Sequence, residues 1–102
     1  MPYDSELRRV LWFLLGGARG GENRARILFE LRERPSNLNQ LSNKLGLDYR
    51  TVTHHVDILK RNALVISQGE KYGMSYSLSP LLESNFGTFT EICSKLDLLG
   101  SP

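Results

Sequence analysis

Apolar residues recur at intervals of three and four along most of this chain, which is the spacing of one face of an α-helix. The pattern predicts a first helix over residues 5–15, a helical core over residues 23–63 and a last helix over residues 80–99. Between the core and the last helix, residues 64–79 change to the alternation that is typical of a β-hairpin. The predicted fold class is therefore mainly α with a small β-hairpin.

A cluster of glycines separates the first two predicted helices. Four of the nine glycines stand at positions 16, 17, 20 and 21. Asp4 and Ser5 supply N-caps at the start of the first helix, and the glycines end it and make a flexible elbow. A phosphate-binding glycine loop would need a preceding strand and a Gly-Lys-Ser/Thr ending, and the sequence has neither. The cluster is therefore interpreted as a connector.

The middle of the chain has the features of two helices joined by a tight turn. Asn37 and Gln40 have the spacing of a capping box at the start of a short helix, and Gly46 follows the end of that helix. Asp48 then caps a longer helix. Two helices joined in this way form a helix-turn-helix, here over residues 38–63, and the hairpin after it adds a wing.

The longer helix, residues 49–63, has an apolar and a polar side. Its predicted buried stripe consists of Val52, Val56, Leu59 and Ala63. The other side and the first turn carry the candidate contacts to bases and phosphates: Tyr49, Arg50, Thr51, Thr53, His54, Asp57 and Arg61. The alternative is a solvated surface helix, which would contain more Glu and Lys. We therefore predict that this helix enters the major groove of double-stranded DNA.

Three side chains outside this helix are candidates for contacts to the flanking DNA backbone. Lys71 and Tyr72 lie at the predicted hairpin tip, where a merely soluble turn is the alternative. Arg24 lies near the start of the second helix, where ordinary surface charge is the alternative. His54 and His55 point about 100° apart on a helix, so they cannot share a metal ion. His55 is expected to bond a neighbouring helix instead.

The two terminal helices have apolar stripes that so short a chain is not expected to cover alone. The predicted dimer interface is formed by Leu7, Leu11, Leu14, Leu82, Phe86, Phe89, Cys93 and Leu96. Gly87 weakens the last helix by about 1 kcal/mol relative to alanine, so its order is expected to depend on a partner surface. The pattern leaves open whether one or both terminal helices form a homodimer.

Composition limits the class of protein further. The 102 residues fit a single domain, and the net charge of +2 favours nucleic acid only weakly. The single cysteine excludes an internal disulfide and suits a reducing compartment, so a cytoplasmic location is expected. Residues 8–15 imitate a signal peptide, but they are too short to span a bilayer, which takes about 20 apolar residues.

The sequence gives no support for a catalytic function. No nucleophile, base and orienting group assemble, so neither an enzyme nor a cofactor is predicted. The rival interpretation is a winged-helix module that binds a protein partner, because a fold does not determine a function. Apolar or acidic residues on the outer side of residues 49–61 would favour that rival, and Tyr49, Arg50, Thr53 and His54 do not.

The run LDYRTVTHHVDILKRNALV, followed by a short wing and a last helix, resembles ArsR-type winged helix-turn-helix transcriptional regulators. The stretch GGARGGENRARIL is similar to an archaeal branch of them. The resemblance covers nearly the whole chain. It implies a symmetric dimer with N- and C-terminal dimerisation helices, which places one recognition helix per subunit in successive major grooves.

The chain departs from the metal-sensing members of that family. Those members use a cysteine pair near the recognition helix or His/Asp/Glu clusters in the last helix. Here the recognition segment has no cysteine, and the last helix offers Cys93, Glu91 and Asp97 without histidine. No metal site is predicted, and the resemblance identifies no effector ligand. Cys93 is interpreted as a buried apolar residue, with a thiol sensor or a disulfide to a second chain as the alternatives.

Overall fold

In the computed structural model, which describes residues 2–70 and 73–98, a bundle of helices carries one antiparallel β-hairpin. The helices are α1 (Pro2–Trp12), α2 (Gly21–Glu33), α3 (Leu38–Leu45), α4 (Tyr49–Arg61), α5 (Pro80–Ser84) and α6 (Phe86–Lys95). The strands are β1 (Val65–Gln68) and β2 (Ser75–Leu78). The predicted fold class, mainly α with a small hairpin, is confirmed.

The N-terminal helix differs from the prediction at both ends. It begins at Pro2, so Asp4 and Ser5 lie inside the helix and the prediction that they cap it is wrong. It also continues into a π-helical turn, Phe13–Gly17, instead of ending at residue 15. Adjacent side chains point about 100° apart in a regular α-helix. The wider turn is accompanied by burial of two consecutive leucines at positions 14 and 15.

The glycine cluster is a tightly packed connection, not a flexible elbow. A Cβ atom on Gly21, the first residue of α2, would lie 2.0 Å from the carbonyl oxygen of Leu15. Gly20 precedes α2 with a φ of 87°, a left-handed conformation that glycine adopts without steric cost. The glycines therefore allow the start of α2 to pack directly against the π-helical turn.

Local signals set the start of each helix in the helix-turn-helix, as predicted. In the capping box, the Asn37 side chain accepts from the Gln40 amide at 2.7 Å, and the Gln40 side chain accepts from the Asn37 amide at 2.8 Å. Gly46 ends α3 in the left-handed conformation. The Asp48 carboxylate then accepts from the Arg50 amide at 3.0 Å and starts α4.

The end of α4 comes two residues earlier than predicted. Asn62 caps the helix, and its side-chain amide donates to the carbonyl oxygen of Ile58 at 2.8 Å. Ala63 follows with a φ of 61° and is exposed. The prediction that Ala63 continues the buried stripe is therefore wrong, because the chain turns there toward β1.

The wing is an antiparallel hairpin with a third, minimal strand at its base. Val65 pairs with Leu78, and the register continues to the pair of Gln68 with Ser75. Ser36, in the loop between α2 and α3, forms two backbone hydrogen bonds with Tyr76 of β2, at 2.8 and 3.0 Å. The predicted tip residues Lys71 and Tyr72 lie outside the described residues.

The last predicted helix, residues 80–99, is two helices that meet at Asn85. Asn85 has a φ of −122° and a ψ of 27°, its amide donates to Leu82 at 3.0 Å, and its side chain donates to the carbonyl oxygen of Leu81 at 2.8 Å. Such a side chain competes with the regular helical hydrogen bonds. The result is a short α5 against β2 and a separate α6 that ends at Lys95.

The core of the single chain contains most of the residues assigned to a dimer interface. The side chains of Leu7, Leu11, Leu14, Leu82, Phe89 and Cys93 are all at most 4% exposed. Because α1 packs on α6, with an Arg8–Glu91 ion pair at 3.2 Å, each terminal helix covers the stripe of the other. The prediction that these six residues face a second chain is therefore wrong. Phe86 and Leu96 remain half-buried.

Two glycine-to-alanine substitutions test this account of the connection. Gly21→Ala places a methyl group against the Leu15 backbone and is expected to lower the free energy of unfolding by about 3 kcal/mol. Gly87→Ala in α6 meets nothing within 4 Å and is expected to raise it by up to about 1 kcal/mol. Urea unfolding followed by circular dichroism measures both values. Equal effects of the two substitutions would contradict the tight connection.

Candidate nucleic-acid interface

Helix α4 has one side in the core and the other in solvent. Val52, Val56 and Leu59 are at most 1% exposed and lie where α4 packs on α2, α3 and β1. The residues opposite this stripe, and those of the first turn, are called the recognition face: Tyr49, Arg50, Thr51, Thr53, His54, Asp57 and Arg61. Thr51 and Thr53 are half-buried, and the other five are exposed. All seven predicted contact residues thus lie within the observed helix α4.

The recognition face carries two guanidinium groups, those of Arg50 and Arg61. Within residues 2–70 and 73–98, no carboxylate forms an ion pair with Arg50 or Arg61. The Thr53 hydroxyl donates to the carbonyl oxygen of Tyr49 at 2.9 Å, which leaves its lone pairs and its methyl group for other contacts. Tyr49, at 48% exposed, is the largest apolar surface on this face. The face therefore offers donors and apolar contacts to a partner.

Strand β2 carries Tyr76, a residue that the sequence analysis did not assign to the site. Burial raises the pKa of the Tyr76 phenol, and nearby Asp57 and Tyr49 raise it further. The Tyr76 hydroxyl lies 3.5 Å from the sulfur of Met74. The one sequence signal that could have identified Tyr76 is its position between two serines in the alternating strand. Tyr76 is therefore within electrostatic range of two residues of the recognition face.

Arg24 does not point toward solvent. Its side chain is 2% exposed, its Nε donates to the carbonyl oxygen of Leu14 at 2.9 Å, and its Nη2 donates to that of Arg19 at 2.5 Å. Burial lowers the pKa of Arg24. The prediction that Arg24 contacts a DNA phosphate is wrong, because the guanidinium is already used inside the protein.

His55 forms the predicted bond to a neighbouring helix. Its ring is 6% exposed, and its Nδ1 lies 3.2 Å from Nη1 of Arg24 in α2. Since a guanidinium only donates, Nδ1 of His55 accepts and the proton of the neutral ring is on Nε2. Burial lowers the pKa of His55, and the charges of Arg24 and His54 lower it further. His55, which directly follows His54 of the recognition face, is thus part of the core.

The remaining candidate chemistry is limited. Cys93 is buried in α6, and burial raises its pKa to about 11, which disfavours the reactive thiolate. In the part of the chain that the structure describes, no three His, Cys, Asp or Glu side chains are arranged to hold a metal ion. None of the described helices has the length and apolar character needed to cross a membrane.

Solved structures share this fold at low sequence identity. Reduced HlyU from Vibrio cholerae is 22% identical, with a TM-score of 0.65 over 92% of this chain and 93% of that one. The transcriptional regulator HlyU from Vibrio vulnificus is 24% identical, with a TM-score of 0.63 over 88% and 95%. Mb0332 from Mycobacterium bovis, a homodimeric winged helix-turn-helix DNA-binding domain described as "a possible ArsR-family transcriptional regulator", is 15% identical, with a TM-score of 0.67 over 92% and 84%.

The sequence comparisons identify the family. No curated protein sequence matches the chain. The family model of the N-terminal domain of the methanogenesis regulatory protein FilR1 matches residues 18–79, which run from the glycine connection to the end of the wing. The chain therefore belongs to the family of the FilR1 N-terminal domain and has a winged helix-turn-helix fold.

Proposed function

We propose that this chain binds double-stranded DNA sequence-specifically, with α4 in the major groove and the wing on the flanking backbone. The proposal rests on the division of α4 into a buried apolar side and an exposed polar side. Its apolar stripe is fixed in the core, and the recognition face, with two guanidinium groups, projects from the same rigid helix. A major groove about 12 Å wide admits such a helix.

Each part of the recognition face suits a particular contact. Arg50, in the first turn, can donate two hydrogen bonds to O6 and N7 of guanine. The methyl groups of Thr51 and Thr53 can pack on the thymine methyl, and the Asp57 carboxylate can accept from N4 of cytosine. Arg61 lies in the last turn of α4, where its positive charge suits a contact to a phosphate. His54 is a further candidate for a phosphate or a base.

The wing extends the proposed contact beyond the major groove. Strand β1 of the hairpin packs on α4, so the wing would lie beside a DNA-bound α4, toward the flanking backbone. Lys71 and Tyr72 at the hairpin tip remain the proposed backbone contacts. An apolar or acidic outer side of α4 would have favoured a protein partner, and the two guanidinium groups oppose that alternative.

A homodimer completes the proposal, with an interface other than the one predicted from the sequence. Trp12 is 38% and Phe13 is 60% exposed, and they are adjacent at the end of α1. A Cβ atom on Gly16 would lie 2.9 Å from the Leu96 side chain, so the half-buried Leu96 borders the same turn. Exposed apolar patches of this kind mark interaction sites. The surface of Trp12, Phe13 and Leu96, called the apolar end patch, is proposed as the dimer contact.

Phe86 is less suited to that contact. The Arg32 guanidinium carbon lies 4.3 Å from the centre of its ring, and the ring packs edge-on against Phe29 of α2 at 5.9 Å. The Arg32 side chain is held in turn by Glu83 of α5 at 3.3 Å. Phe86 is thus engaged within one chain, between α2 and the C-terminal helices.

Arg50→Ala is expected to weaken binding to a selected duplex by about 1–3 kcal/mol and to relax the base preference at one position per half-site. Lys95→Ala removes one positive charge from α6, outside the recognition face, and serves as the control. Fluorescence anisotropy at fixed salt measures both affinities. If Arg50→Ala binds like Lys95→Ala, the assignment of the recognition face is wrong.

Phe13→Glu is expected to give a monomer, because it places a charge in the centre of the apolar end patch. Ser5→Glu adds the same charge at an exposed position of α1 and should leave the dimer intact. Light scattering of the full chain reports the mass, and circular dichroism checks the fold. A dimer that survives Phe13→Glu would place the contact elsewhere.

A further inference from the structure

Arg24 is a buried cation that joins three segments of the chain. Its guanidinium donates to Leu14 in the π-helical turn and to Arg19 in the glycine connection, and it bonds His55 in α4. Within residues 2–70 and 73–98, no carboxylate lies at ion-pair distance from it. Its charge is therefore balanced by two carbonyl dipoles and a neutral imidazole.

This arrangement requires that His55 stays neutral. Nδ1 of His55 accepts from Arg24 through a lone pair, 3.2 Å from Nη1. A proton on Nδ1 would remove that hydrogen bond and would place two positive charges in contact inside the protein. The charged and titratable groups that act on the ring are Arg24 of α2 and His54 of α4 itself. Both oppose protonation.

The glycine connection encloses the other edge of the ring. A Cβ atom on Gly20 would lie 2.5 Å from Cε1 and 3.2 Å from Nε2 of His55. The backbone at Gly20 therefore passes directly over the imidazole, and Arg24 holds the preceding carbonyl of Arg19. The ring is thus enclosed between Arg24 and the connection, and a displaced ring would move both.

The ends of this linkage are the two surfaces on which the proposed function depends. His55 follows His54 of the recognition face in the same helix. At the other end, Leu14 follows Phe13 of the apolar end patch in the π-helical turn. The Arg24 guanidinium links the two directly, alongside the packing of α2 on both the π-helical turn and α4. A change at His55 would therefore alter the position of α4 relative to the dimer contact.

We propose that the Arg24–His55 pair is a positioning device that sets the recognition face relative to the N-terminal segment, and that protonation of His55 weakens DNA binding. The proposal rests on the proposed function. Two recognition faces in a dimer must match the spacing of successive major grooves, so a displaced α4 weakens binding to a two-site duplex more than to one half-site.

The test compares binding at about pH 7.5 and about pH 5.5, where a histidine changes its charge. Because folding lowers the pKa of His55 below 6.5, wild type should lose affinity at the lower pH by less than about tenfold, measured on a duplex selected by the protein at the higher pH. His55→Asn keeps an acceptor in the place of Nδ1 but cannot be protonated, so it should bind like wild type at the higher pH and lose the acid effect. His54→Asn removes the other histidine, and its loss of affinity on acidification is compared with its own affinity at the higher pH, because His54 belongs to the recognition face. It should still lose affinity at the lower pH.

The possible results distinguish a failure of the proposed function from a failure of the positioning device. If wild type binds no duplex at the higher pH, the proposed function fails. If wild type binds and His55→Asn retains the full acid effect, the positioning device is overturned while the function stands. A parallel loss of helical circular dichroism at the lower pH would also overturn it, because the acid effect would then report unfolding. Equal acid effects on a half-site and on the two-site duplex would count against the change in geometry.

Stability provides a second readout that does not involve DNA. Because the pKa of His55 is lowered by folding, the unfolded chain binds the proton at a higher pH than the folded chain. The equilibrium constant for unfolding should therefore increase as the pH falls below about 6.5, the ordinary histidine value. Urea unfolding should show this increase for wild type and His54→Asn, and a smaller one for His55→Asn. An identical increase in all three would contradict a neutral, buried His55.

Discussion

The burial of one side of α4 is the interaction on which the rest of the structure depends. Val52, Val56 and Leu59 are removed from water by α2, α3 and β1, and each such side chain contributes roughly 1.5–3 kcal/mol. A helix held on that stripe has one rotational setting. The polar residues between the apolar ones are consequently directed outward as a set, which makes a coherent surface out of seven scattered positions.

Features that depend on neighbouring residues could be predicted from the sequence. The capping box at Asn37, the left-handed Gly46 and the Asp48 cap each involve groups within five positions of one another, so their spacing alone specifies them. The outward side of α4 could be predicted for the same reason, since helical periodicity divides it from the core side. The site residues within one helix were therefore accessible to sequence analysis.

Features that depend on distant contacts could not be predicted. A heptad stripe on α6 has the same spacing whether it faces the same chain or another one, and here α1 covers it. Arg24 has the sequence context of a surface arginine, and only the meeting of three segments shows that it is buried. The break at Asn85 likewise depends on where α5 must end against β2. These outcomes belong to the packing of the whole chain.

The two backbone hydrogen bonds between Ser36 and Tyr76 have a consequence for the direction of the wing. They attach the hairpin to the segment that leaves α2, in addition to the packing of β1 on α4 and of β2 on α2 and α5. Tilting the hairpin would break both bonds at once. The α2–α3 loop thus contributes to the angle between hairpin and bundle, and substitutions in that loop would change this angle without altering either strand.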